Sequence, residues 1–296
     1  MKITIAGAGA WGKALGFIAQ RAGHEVSFWS RQNQILPAHT DAYILAVPAQ
    51  AVRETCAALK LNKAVVICAA KGIEQSTGKL MAEVVHDVAP AAEFYVLSGP
   101  SFAADVIAGL PTAVALAGPT LEKAMVLAEA LSTRTFRIYP TADVTGVEIG
   151  GAMKNVLAIA CGIVEGAGLG ESARAGLVTR GFAELSRYAR SQGAKPETLM
   201  GLSGFGDLML TCSSTKSRNY SYGLAIGKGA TPQEAQAHSA GVVEGAFTAS
   251  VAAALADQHK IDMPIVHSVA DIISGKSNPR VEITKLMARP LRAEHE

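Results

Sequence analysis

The sequence has little net charge and few aromatic residues, and both shortages exclude classes of protein. Its 296 residues contain 27 lysines and arginines against 25 aspartates and glutamates, and aromatic side chains make up 5%. A protein that binds nucleic acid mainly through phosphate contacts needs concentrated positive charge, and no basic run supplies it here. We therefore expect no nucleic-acid partner. Hydrophobic residues at 49% and charged residues at 18% instead predict large apolar cores.

Cysteine, histidine and long apolar runs are scarce as well. The four cysteines are scattered without a C-x-x-C pair, which is typical of reduced thiols in a cytosolic protein. The seven histidines fall singly, so we expect no metal site. No apolar run reaches the ~20 residues of a membrane-spanning helix without a glycine or a charge, and Met1 leads directly into a strand, which leaves no room for a signal peptide. These shortages predict a cytoplasmic protein with no membrane span.

What the sequence does have is a glycine-rich start. Ile3 to Ala6 predict a buried strand, residues 7–12 follow with the pattern Gly-x-Gly-x-x-Gly, and Lys13 to Arg21 predict a helix. A second strand, Glu25 to Trp29, comes close behind. This succession is typical of a dinucleotide-binding turn, whereas an ordinary glycine-rich turn is the alternative that the context disfavours.

Each glycine of the motif has a physical role in such a turn. Gly7 permits the tight turn, Gly9 lets the backbone approach a pyrophosphate, and Gly12 lets the helix pack closely against the strand. The N-terminus of the helix then offers free N–H groups and a positive dipole to the phosphates. The motif predicts a dinucleotide cofactor, NADP or NAD.

The residues after the second strand bear on the choice between these two cofactors. A dinucleotide site usually has an acidic residue there, which binds the adenosine ribose, but this chain has Ser30 and Arg31. There is no carboxylate to repel a 2′-phosphate, and a guanidinium is present to pair with it. The sequence therefore predicts that NADP(H) is accepted alongside NAD(H). A solvated surface arginine is the alternative interpretation.

The next segment is too short for a usual nucleotide-binding domain. Only Gln32 to Thr40 separates Arg31 from the next predicted strand, Asp41 to Pro48. A helical crossover between parallel strands needs about a dozen residues or more. We therefore expect the usual helix and strand after residue 31 to be missing, and the sheet to be short on the side that binds adenine.

Beyond this segment strands and helices alternate up to Pro140, and long helical runs replace them afterwards. Alternating units predict a mainly parallel, doubly wound sheet whose ligands lie at the carboxyl ends of its strands. Lys71 and residues 98–101 stand at such ends. The expected fold class is α/β, with a shortened Rossmann-like sheet in residues 1–140 and an all-α domain in residues 141–296.

The helical half contains polar residues in unusual surroundings. Lys154 and Asn155 interrupt a helix of small and apolar residues, where a lysine can have a lowered pKa and act as general acid or base. A lysine that extends to water is the alternative. Asp207 stands alone among glycines and apolar residues, either to orient Lys154 or to cap the helix that follows.

Two further motifs precede predicted helices. Ser217, Arg218 and Asn219 offer a hydroxyl, a guanidinium and an amide at a helix N-terminus, which is a credible phosphate site. Glu244 lies ahead of another helix, in a stretch bounded by glycines. It is either a carboxylate of the cap region or a ligand to the nicotinamide half of the cofactor.

Taken in order, these motifs resemble those of bacterial NAD(P)-dependent glycerol-3-phosphate dehydrogenases over nearly the whole chain. The resemblance rests on the glycine-rich start and on Val47-Pro48, Lys71-Gly72, Ser98 to Ala103, Gly109 to Thr112, Lys154-Asn155, Gly206 to Leu208, Ser217 to Asn219 and Val242 to Gly245. It implies reversible reduction of dihydroxyacetone phosphate to sn-glycerol 3-phosphate by hydride transfer from NAD(P)H, which supplies the backbone of glycerophospholipids. It also allows a homodimer.

The resemblance implies a role for each matching residue. The catalytic residues are Lys154 as proton donor and acceptor, Lys71 and Asp207, with Asn155 and Thr211 in support. The substrate-binding residues that it implies are Lys71, Gly99, Ser101, Lys154, Asp207, Ser217, Arg218 and Asn219. Together with the glycine-rich motif, it predicts cofactor contacts at Gly7, Gly9, Ala10, Trp11, Gly12, Arg31, Lys71, Ala103, Arg218, Val242 and Glu244.

Two other functions are compatible with parts of the sequence. A related NADP-dependent reductase of another small substrate, such as ketopantoate or a hydroxy acid, would have less use for residues 217–219 at a helix start. A non-catalytic redox sensor that binds a dinucleotide would need no assembled lysine, aspartate and phosphate site, and a fold by itself never proves catalysis. The segment 32–40 is shorter than the family pattern. This difference affects the adenine side of the cofactor site, but it removes none of the residues that match catalytic positions.

Overall fold

Seven strands from the first half of the chain form a single sheet in the computed structural model, which describes residues 1–35, 37–239, 241–291 and 293. The strands are β1 Lys2–Ala6, β2 Glu25–Trp29, β3 Ala42–Leu45, β4 Val65–Cys68, β5 Glu93–Ser98, β6 Thr112–Ala117 and β7 Phe136–Thr141. Their spatial order is β2-β1-β3-β4-β5-β6-β7, and each neighbouring pair is parallel except β5 with β6. The prediction of a mainly parallel sheet is confirmed.

Helices cover both faces of the sheet because its strands are apolar on both. The helices of this half are α1 Ala10–Arg21, α2 Val52–Leu59, α3 Met81–Val88, α4 Ala103–Ile107 and α5 Leu121–Leu131. On one face Ile3 and Ile5 pack with residues of α1, α4 and α5, and on the other Leu45 and Val66 pack with residues of α2 and α3. The sheet is therefore doubly wound, as the sequence predicted.

The stretch after β2 is a loop. Residues 30–35 and 37–41 contain no helix or strand, and β3 follows at Ala42. The loop begins with a tight turn. The N–H of Ser30 donates to the carbonyl oxygen of Asn33 at 2.8 Å, and the N–H of Asn33 donates to the carbonyl oxygen of Ser30 at 3.0 Å. With no strand outside it, β2 is an edge of the sheet. The expected loss of a helix and a strand is confirmed for these described residues.

The last strand runs further than the sequence indicated. β7 continues through Pro140 to Thr141, whereas the pattern predicted a strand that ends at Tyr139. Because β7 is an edge strand with β6 on one side only, the position of the missing N–H of a proline can face away from the sheet. The change from sheet to helices falls between Thr141 and Val144.

Helices make up the second half of the described chain. They are α6 Val144–Gly166, α7 Glu171–Ser191, α8 Pro196–Met200, α9 Asp207–Cys212, α10 Arg218–Gly227, α11 Pro232–Ala237, α12 Glu244–His259, α13 Pro264–Ile273 and α14 Pro279–Met287. Residues 146–164 of α6 are all buried, chiefly against α7, α9, α10 and α12. Within the described residues α6 is the one helix long and apolar enough to cross a membrane, and its apolar stretch is wholly enclosed by protein. It is the core helix of this half.

Candidate active site

A cleft of about 810 Å³ lies between the carboxyl ends of the strands and the helical half. Most of the predicted site residues line it. They are Gly9, Ala10, Trp11, Lys71, Ser101, Ala103, Lys154, Asp207, Ser217, Arg218, Asn219, Val242 and Glu244. Four predicted residues, Gly7, Gly12, Arg31 and Gly99, lie outside this lining. The fold thus brings together side chains that are far apart in the sequence.

The glycine-rich turn leads from β1 into α1 at the cleft. Gly7 has a φ of +110°, and a Cβ on Gly12 would lie 1.9 Å from the carbonyl oxygen of Gly7. Gly9 is the N-cap of α1, and apart from its two chain neighbours no atom of the described residues lies within 4 Å of the position that a Cβ would take there. Open space therefore stands before the free N–H groups of the first turn of α1. That arrangement fits an anionic group.

The cleft also holds a buried cluster of charged side chains. The Nζ of Lys154 lies 2.5 Å from Oδ1 of Asp207 and donates a hydrogen bond of 2.8 Å to the hydroxyl of Thr211. The Nζ of Lys71 lies 2.7 Å from Oδ2 of the same carboxylate and donates to the carbonyl oxygen of Gly99 at 3.0 Å. One aspartate therefore bridges two lysines, one from each half of the chain.

Asp207 does not cap a helix. It is the first residue of α9, but the N-cap is Gly206 and no side chain caps the helix. The Asp207 side chain is 1% exposed, and each of its oxygens faces a lysine. The structure thereby decides between the two interpretations that the sequence left open.

Burial and charge shift the pKa values of this cluster. Burial lowers the pKa of Lys154 from 10.5 to about 8, although the negative charge of Asp207 opposes the effect. Burial alone would raise the pKa of Asp207, but the charges of Lys154 and Lys71 outweigh it and hold that pKa below its ordinary value. A lysine with a pKa near 8 can give or take a proton close to neutral pH, as general acid-base catalysis requires.

A small residue of α6 allows this cluster to form. A Cβ on Gly150 would lie 2.8 Å from the carbonyl oxygen of Ser203, in the π-helical turn Leu202–Gly206 that precedes α9. The turn therefore packs directly on the backbone of α6, on the face that carries Lys154 four residues later. A larger side chain at position 150 would push Asp207 away from the lysine.

Two buried asparagines connect the cluster to the helices behind it. Asn219 donates to Oδ1 of Asn155 at 3.0 Å and accepts from the N–H of Gly245 at 2.9 Å. Asn155 makes a longer contact of 3.5 Å with the carbonyl oxygen of Lys71. Asn219 therefore fixes the N-terminus of α12, in addition to lining the cleft.

Ser217 and Arg218 stand at the start of α10. The hydroxyl oxygen of Ser217 accepts a hydrogen bond of 3.3 Å from the N–H of Tyr220 and so caps the helix. Arg218 lies in the cleft wall, and none of the described carboxylates comes within salt-bridge distance of it. Such a guanidinium beside a helix N-terminus is suited to bind an anionic ligand.

Two buried polar atoms of the cleft wall have no hydrogen-bond partner in the described part of the chain. They are Nε1 of Trp11 and Oε2 of Glu244. The other carboxylate oxygen of Glu244 accepts from the N–H of Ala49 at 3.3 Å, and burial raises the pKa of this carboxyl. Buried donors and acceptors are nearly always paired. Both atoms therefore indicate a polar ligand, and the wall from the glycine-rich turn to Glu244 fits a dinucleotide.

Both halves of the sequence match models of one enzyme family. The model described as NAD-dependent glycerol-3-phosphate dehydrogenase C-terminus matches residues 143–284, and the model for the N-terminus of the same enzymes matches residues 2–39 and 37–124. The chain belongs to this family of NAD-dependent glycerol-3-phosphate dehydrogenases.

Relatives of full length agree with the family assignment. The glycerol-3-phosphate dehydrogenase (NAD(P)+) of Parvibaculum lavamentivorans is 46% identical over 327 residues, which cover 99% of this chain and 98% of the relative. The protein of the same name from Methylobacterium radiotolerans is 48% identical over 326 residues, with 99% and 98% covered. A solved structure of glycerol-3-phosphate dehydrogenase from Coxiella burnetii is similar with a TM-score of 0.90 at 35% identity, and the match covers 97% of this chain and 99% of that one.

The comparison with the glycerol-3-phosphate dehydrogenase family also locates the shortened segment. The alignment with the Parvibaculum protein runs over 327 residues although this chain has 296. The N-terminal family model matches in two pieces that meet at residues 37–39, within the loop between β2 and β3. This member of the family is therefore shorter at the loop where the sheet ends.

Arg31 is the predicted cofactor residue that the structure places apart from the rest. Its guanidinium lies 2.5 Å from the carboxylate of Glu54 in α2, and the two side chains are 72% and 73% exposed. No local pattern predicts this pairing, because Glu54 lies 23 positions further along the sequence. The arginine expected to meet a 2′-phosphate already has a carboxylate partner.

Lys216 is a cleft residue that the sequence interpretation missed. It directly precedes Ser217 and lines the same cleft. Its Nζ lies 3.1 Å from Oδ1 of Asp105 in α4. No local pattern distinguishes Lys216 from a solvated lysine, because this partner is 111 positions away in the sequence.

Proposed function

We propose that this chain catalyses the reversible reduction of dihydroxyacetone phosphate to sn-glycerol 3-phosphate with NADH or NADPH. The observation that carries the proposal is the cluster of Lys154, Asp207 and Lys71 in the cleft that also contains Arg218. A proton donor and a phosphate-binding cation in one cleft suit a small phosphorylated ketone. The family and the names of its Parvibaculum and Methylobacterium relatives support the same reaction.

Lys154 is the proton donor of the proposed mechanism. NAD(P)H supplies the hydride when it is bound. Lys154 gives a proton to the carbonyl oxygen as that oxygen gains negative charge, and takes it back when glycerol 3-phosphate is oxidised. Asp207 holds the ammonium groups of Lys154 and Lys71 side by side. Lys71 thereby adds positive charge beside the developing alkoxide, in a largely buried cluster where such interactions are strong.

We assign phosphate binding to Ser217, Arg218 and Asn219 at the start of α10. Anchoring the phosphate fixes the carbonyl carbon in the cleft and lowers the entropic part of the barrier. Ser101 lines the same space and Gly99 is held by Lys71, so we assign both to the substrate as well. Trp11 and Glu244 are assigned to the cofactor, because both residues line the cleft and each has a buried polar atom without a partner.

Steady-state kinetics with dihydroxyacetone phosphate test the proposed reaction. We expect oxidation of both NADH and NADPH to depend on this substrate, and unphosphorylated dihydroxyacetone and ketopantoate to be poor replacements. A preference for ketopantoate would favour the related reductase instead. Binding of NADPH without turnover of any of these substrates would favour a redox sensor.

Arg218→Ala tests the assigned phosphate site. Loss of a charge-assisted contact costs about 1.5–3 kcal/mol, so we expect the KM for dihydroxyacetone phosphate to rise by one to two orders of magnitude, with a smaller loss of kcat. An unchanged KM would contradict the phosphate role of Arg218.

We further propose that Arg31 binds the 2′-phosphate of NADPH by exchanging partners. A phosphate group carries more charge than the Glu54 carboxylate and has more acceptor oxygens, so it competes for the guanidinium. The pair is solvated, and therefore little is lost when it opens. NADH requires no such exchange, which is why we expect both cofactors to be used.

We place the reaction in the cytoplasm, where it supplies glycerol 3-phosphate for glycerophospholipid synthesis. All four cysteines are buried free thiols, which fits a reducing compartment. Rescue of a bacterial strain that requires glycerol for growth, together with cell fractionation, tests both statements.

We also propose that residues 1–140 and 141–296 are two domains and that two chains form a homodimer. The main apolar clusters of the sheet and of the helical half are different, which supports the division, and one small cluster joins Val147 of α6 to β5 and β6.

The proposed dimer contact is an apolar surface patch. Met200, Phe205 and Met209 lie within ten residues of one another in the sequence and are 62%, 37% and 47% exposed, and such apolar surface is typical of contact sites. Light scattering measures the mass in solution, and Met209→Glu should shift it towards the monomer.

A further inference from the structure

Lys216 lies at the edge of the cleft between the two halves of the chain. It immediately precedes the proposed phosphate-binding residues 217–219 and lines the same cleft. Its ammonium group lies 3.1 Å from the carboxylate of Asp105 and 5.8 Å from the centre of the Phe102 ring. Asp105 and Phe102 belong to the sheet-forming half, so these contacts cross the cleft.

The phosphate end of the cleft needs more positive charge than Arg218 supplies. The phosphate of a phosphorylated ketone carries between one and a half and two negative charges at neutral pH, roughly as a phosphorylated side chain does. Among the described lining residues the other cations are Lys71, Lys154 and Lys216. The first two share the carboxylate of Asp207, where the carbonyl is reduced. Lys216 is therefore the lining cation that remains for the phosphate.

Lys216 can change partners easily. Its side chain is 61% exposed and that of Asp105 is 32% exposed, so water screens their attraction and solvates both groups when they separate. A lysine carries a compact charge on a flexible four-carbon stem, which can swing without backbone movement. The contact with Phe102 keeps the ammonium group over the cleft edge in the meantime.

We propose that Lys216 is a second phosphate-binding residue, which Asp105 holds across the cleft until the phosphate of the substrate displaces the carboxylate. This inference rests on the proposed function. Asp105 keeps the ammonium group within reach of the cleft, but it also competes with the phosphate for that group. Lys216 therefore strengthens substrate binding, whereas Asp105 weakens it.

The two residues should have opposite effects on substrate affinity. Lys216→Gln should raise the KM for dihydroxyacetone phosphate about tenfold, as expected for one charge-assisted contact. Asp105→Asn should lower this KM about two- to threefold, because nothing then competes for the ammonium group. In the double variant the KM should equal that of Lys216→Gln alone, since Asp105 acts only through Lys216.

Binding measurements separate this inference from the proposed reaction. Calorimetry with sn-glycerol 3-phosphate and with inorganic phosphate should show the same tenfold loss in Lys216→Gln, and the loss should shrink as the ionic strength rises from about 0.02 to 0.2 M. Turnover of unphosphorylated dihydroxyacetone should not change. If the parent protein failed to reduce dihydroxyacetone phosphate, the proposed function would fall, but these titrations would still test Lys216.

Lys123→Gln is the matched control. Lys123 lies 2.7 Å from Glu93 with side chains 52% and 35% exposed, close to the values for Lys216 and Asp105. Glu93 is the first residue of β5, at the opposite end of the strand from the carboxyl ends that border the cleft, so the KM should not change in this variant. If KM rose equally in Lys216→Gln and Asp105→Asn, the ion pair would only hold the two halves of the chain together. That result would overturn the inference. An unchanged KM in Lys216→Gln would overturn it as well.

Discussion

Two ion pairs of this protein have the same length and opposite surroundings. Lys154 with Asp207 and Arg31 with Glu54 each meet at 2.5 Å, but the side chains of the first pair are 9% and 1% exposed and those of the second 72% and 73%. Burial takes the pKa of Lys154 to about 8, whereas water screens the second pair. The pair to which we assign proton transfer therefore has the same contact distance as the surface pair. What distinguishes the first pair is its burial and the sharing of one carboxylate between two lysines.

The difference follows from where the fold places each partner. Lys154 lies in the core helix α6, and Asp207 begins a helix that packs on α6 through Gly150. Arg31 follows the edge strand β2, in a loop that no further strand covers in the described chain. The end of the cleft to which we assign catalysis is therefore enclosed, and the loop to which we assign the adenine side of the cofactor is open to water.

Asp207→Asn should have the largest effect, because it leaves two lysines without their shared carboxylate. We expect kcat to fall about 1,000-fold or more. The free energy of unfolding should fall by about 3–5 kcal/mol, as when one partner is removed from a buried pair. Kinetics and urea unfolding measure the two quantities. Glu54→Gln is the matched change in the exposed pair and should leave unfolding unaltered; equal stability losses would break the comparison.

Lys154→Ala should abolish most of the turnover and spare cofactor binding. Loss of the general acid is expected to lower kcat about 1,000-fold. The Kd for NADPH, measured by fluorescence titration, should stay within about twofold of the parent value. The reason is that Lys154 lies far from the glycine-rich turn, so its loss removes little of the binding energy of the cofactor. A variant with near-normal kcat would show that another group donates the proton.

The pH dependence should reveal the buried lysine directly. Reduction needs protonated Lys154, so kcat/KM for dihydroxyacetone phosphate should be level below pH 8 and fall as the pH rises through about 8. Oxidation of glycerol 3-phosphate needs the neutral amine, so its rate should rise over the same range. Each limb should approach about tenfold per pH unit. If the rates of reduction and of oxidation both rose, or both fell, as the pH passed through 8, the role of Lys154 would be contradicted.

Changes at the exposed pair should have the smallest effects. Arg31→Ala should raise the KM for NADPH about five- to tenfold and leave that for NADH nearly unchanged, because only NADPH brings a 2′-phosphate. Glu54→Gln should lower the KM for NADPH by no more than about threefold, since it removes a screened competitor. Cofactor titrations without substrate provide a second readout. Equal losses for the two cofactors in Arg31→Ala would refute the exchange of partners.

Much of the fold and of the site could be predicted from the sequence because their signals are local. The succession of strand, glycine motif and helix is confirmed at β1 and α1, and nine residues between predicted strands were enough to show that a crossover is missing. The motifs around Lys154, Asp207 and Ser217 to Asn219 stood out by composition alone, and the structure places them in one cleft.

Pairings across the chain could not be predicted in the same way. Lys71 and Asp207 are 136 positions apart, and Lys216 and Asp105 are 111 apart. Spacing along one helix or strand carries no information on such distances, because they depend on how whole elements pack. The same holds for Pro140, which looked like the end of a strand but is tolerated because β7 lies at the sheet edge.

The sequence by itself determined that this protein has a dinucleotide-type turn, a shortened parallel sheet, a helical second half and the residue types for acid-base chemistry on a phosphorylated substrate. Only the tertiary structure decided that Asp207 joins Lys154 to Lys71, that Arg31 turns to Glu54, and that Lys216 reaches across the cleft. The physical reason is that periodicity and turn chemistry act over a few residues, whereas burial arises only when distant elements come together. Burial lowers the pKa of Lys154, whereas the lack of burial leaves Arg31 in an ordinary surface ion pair.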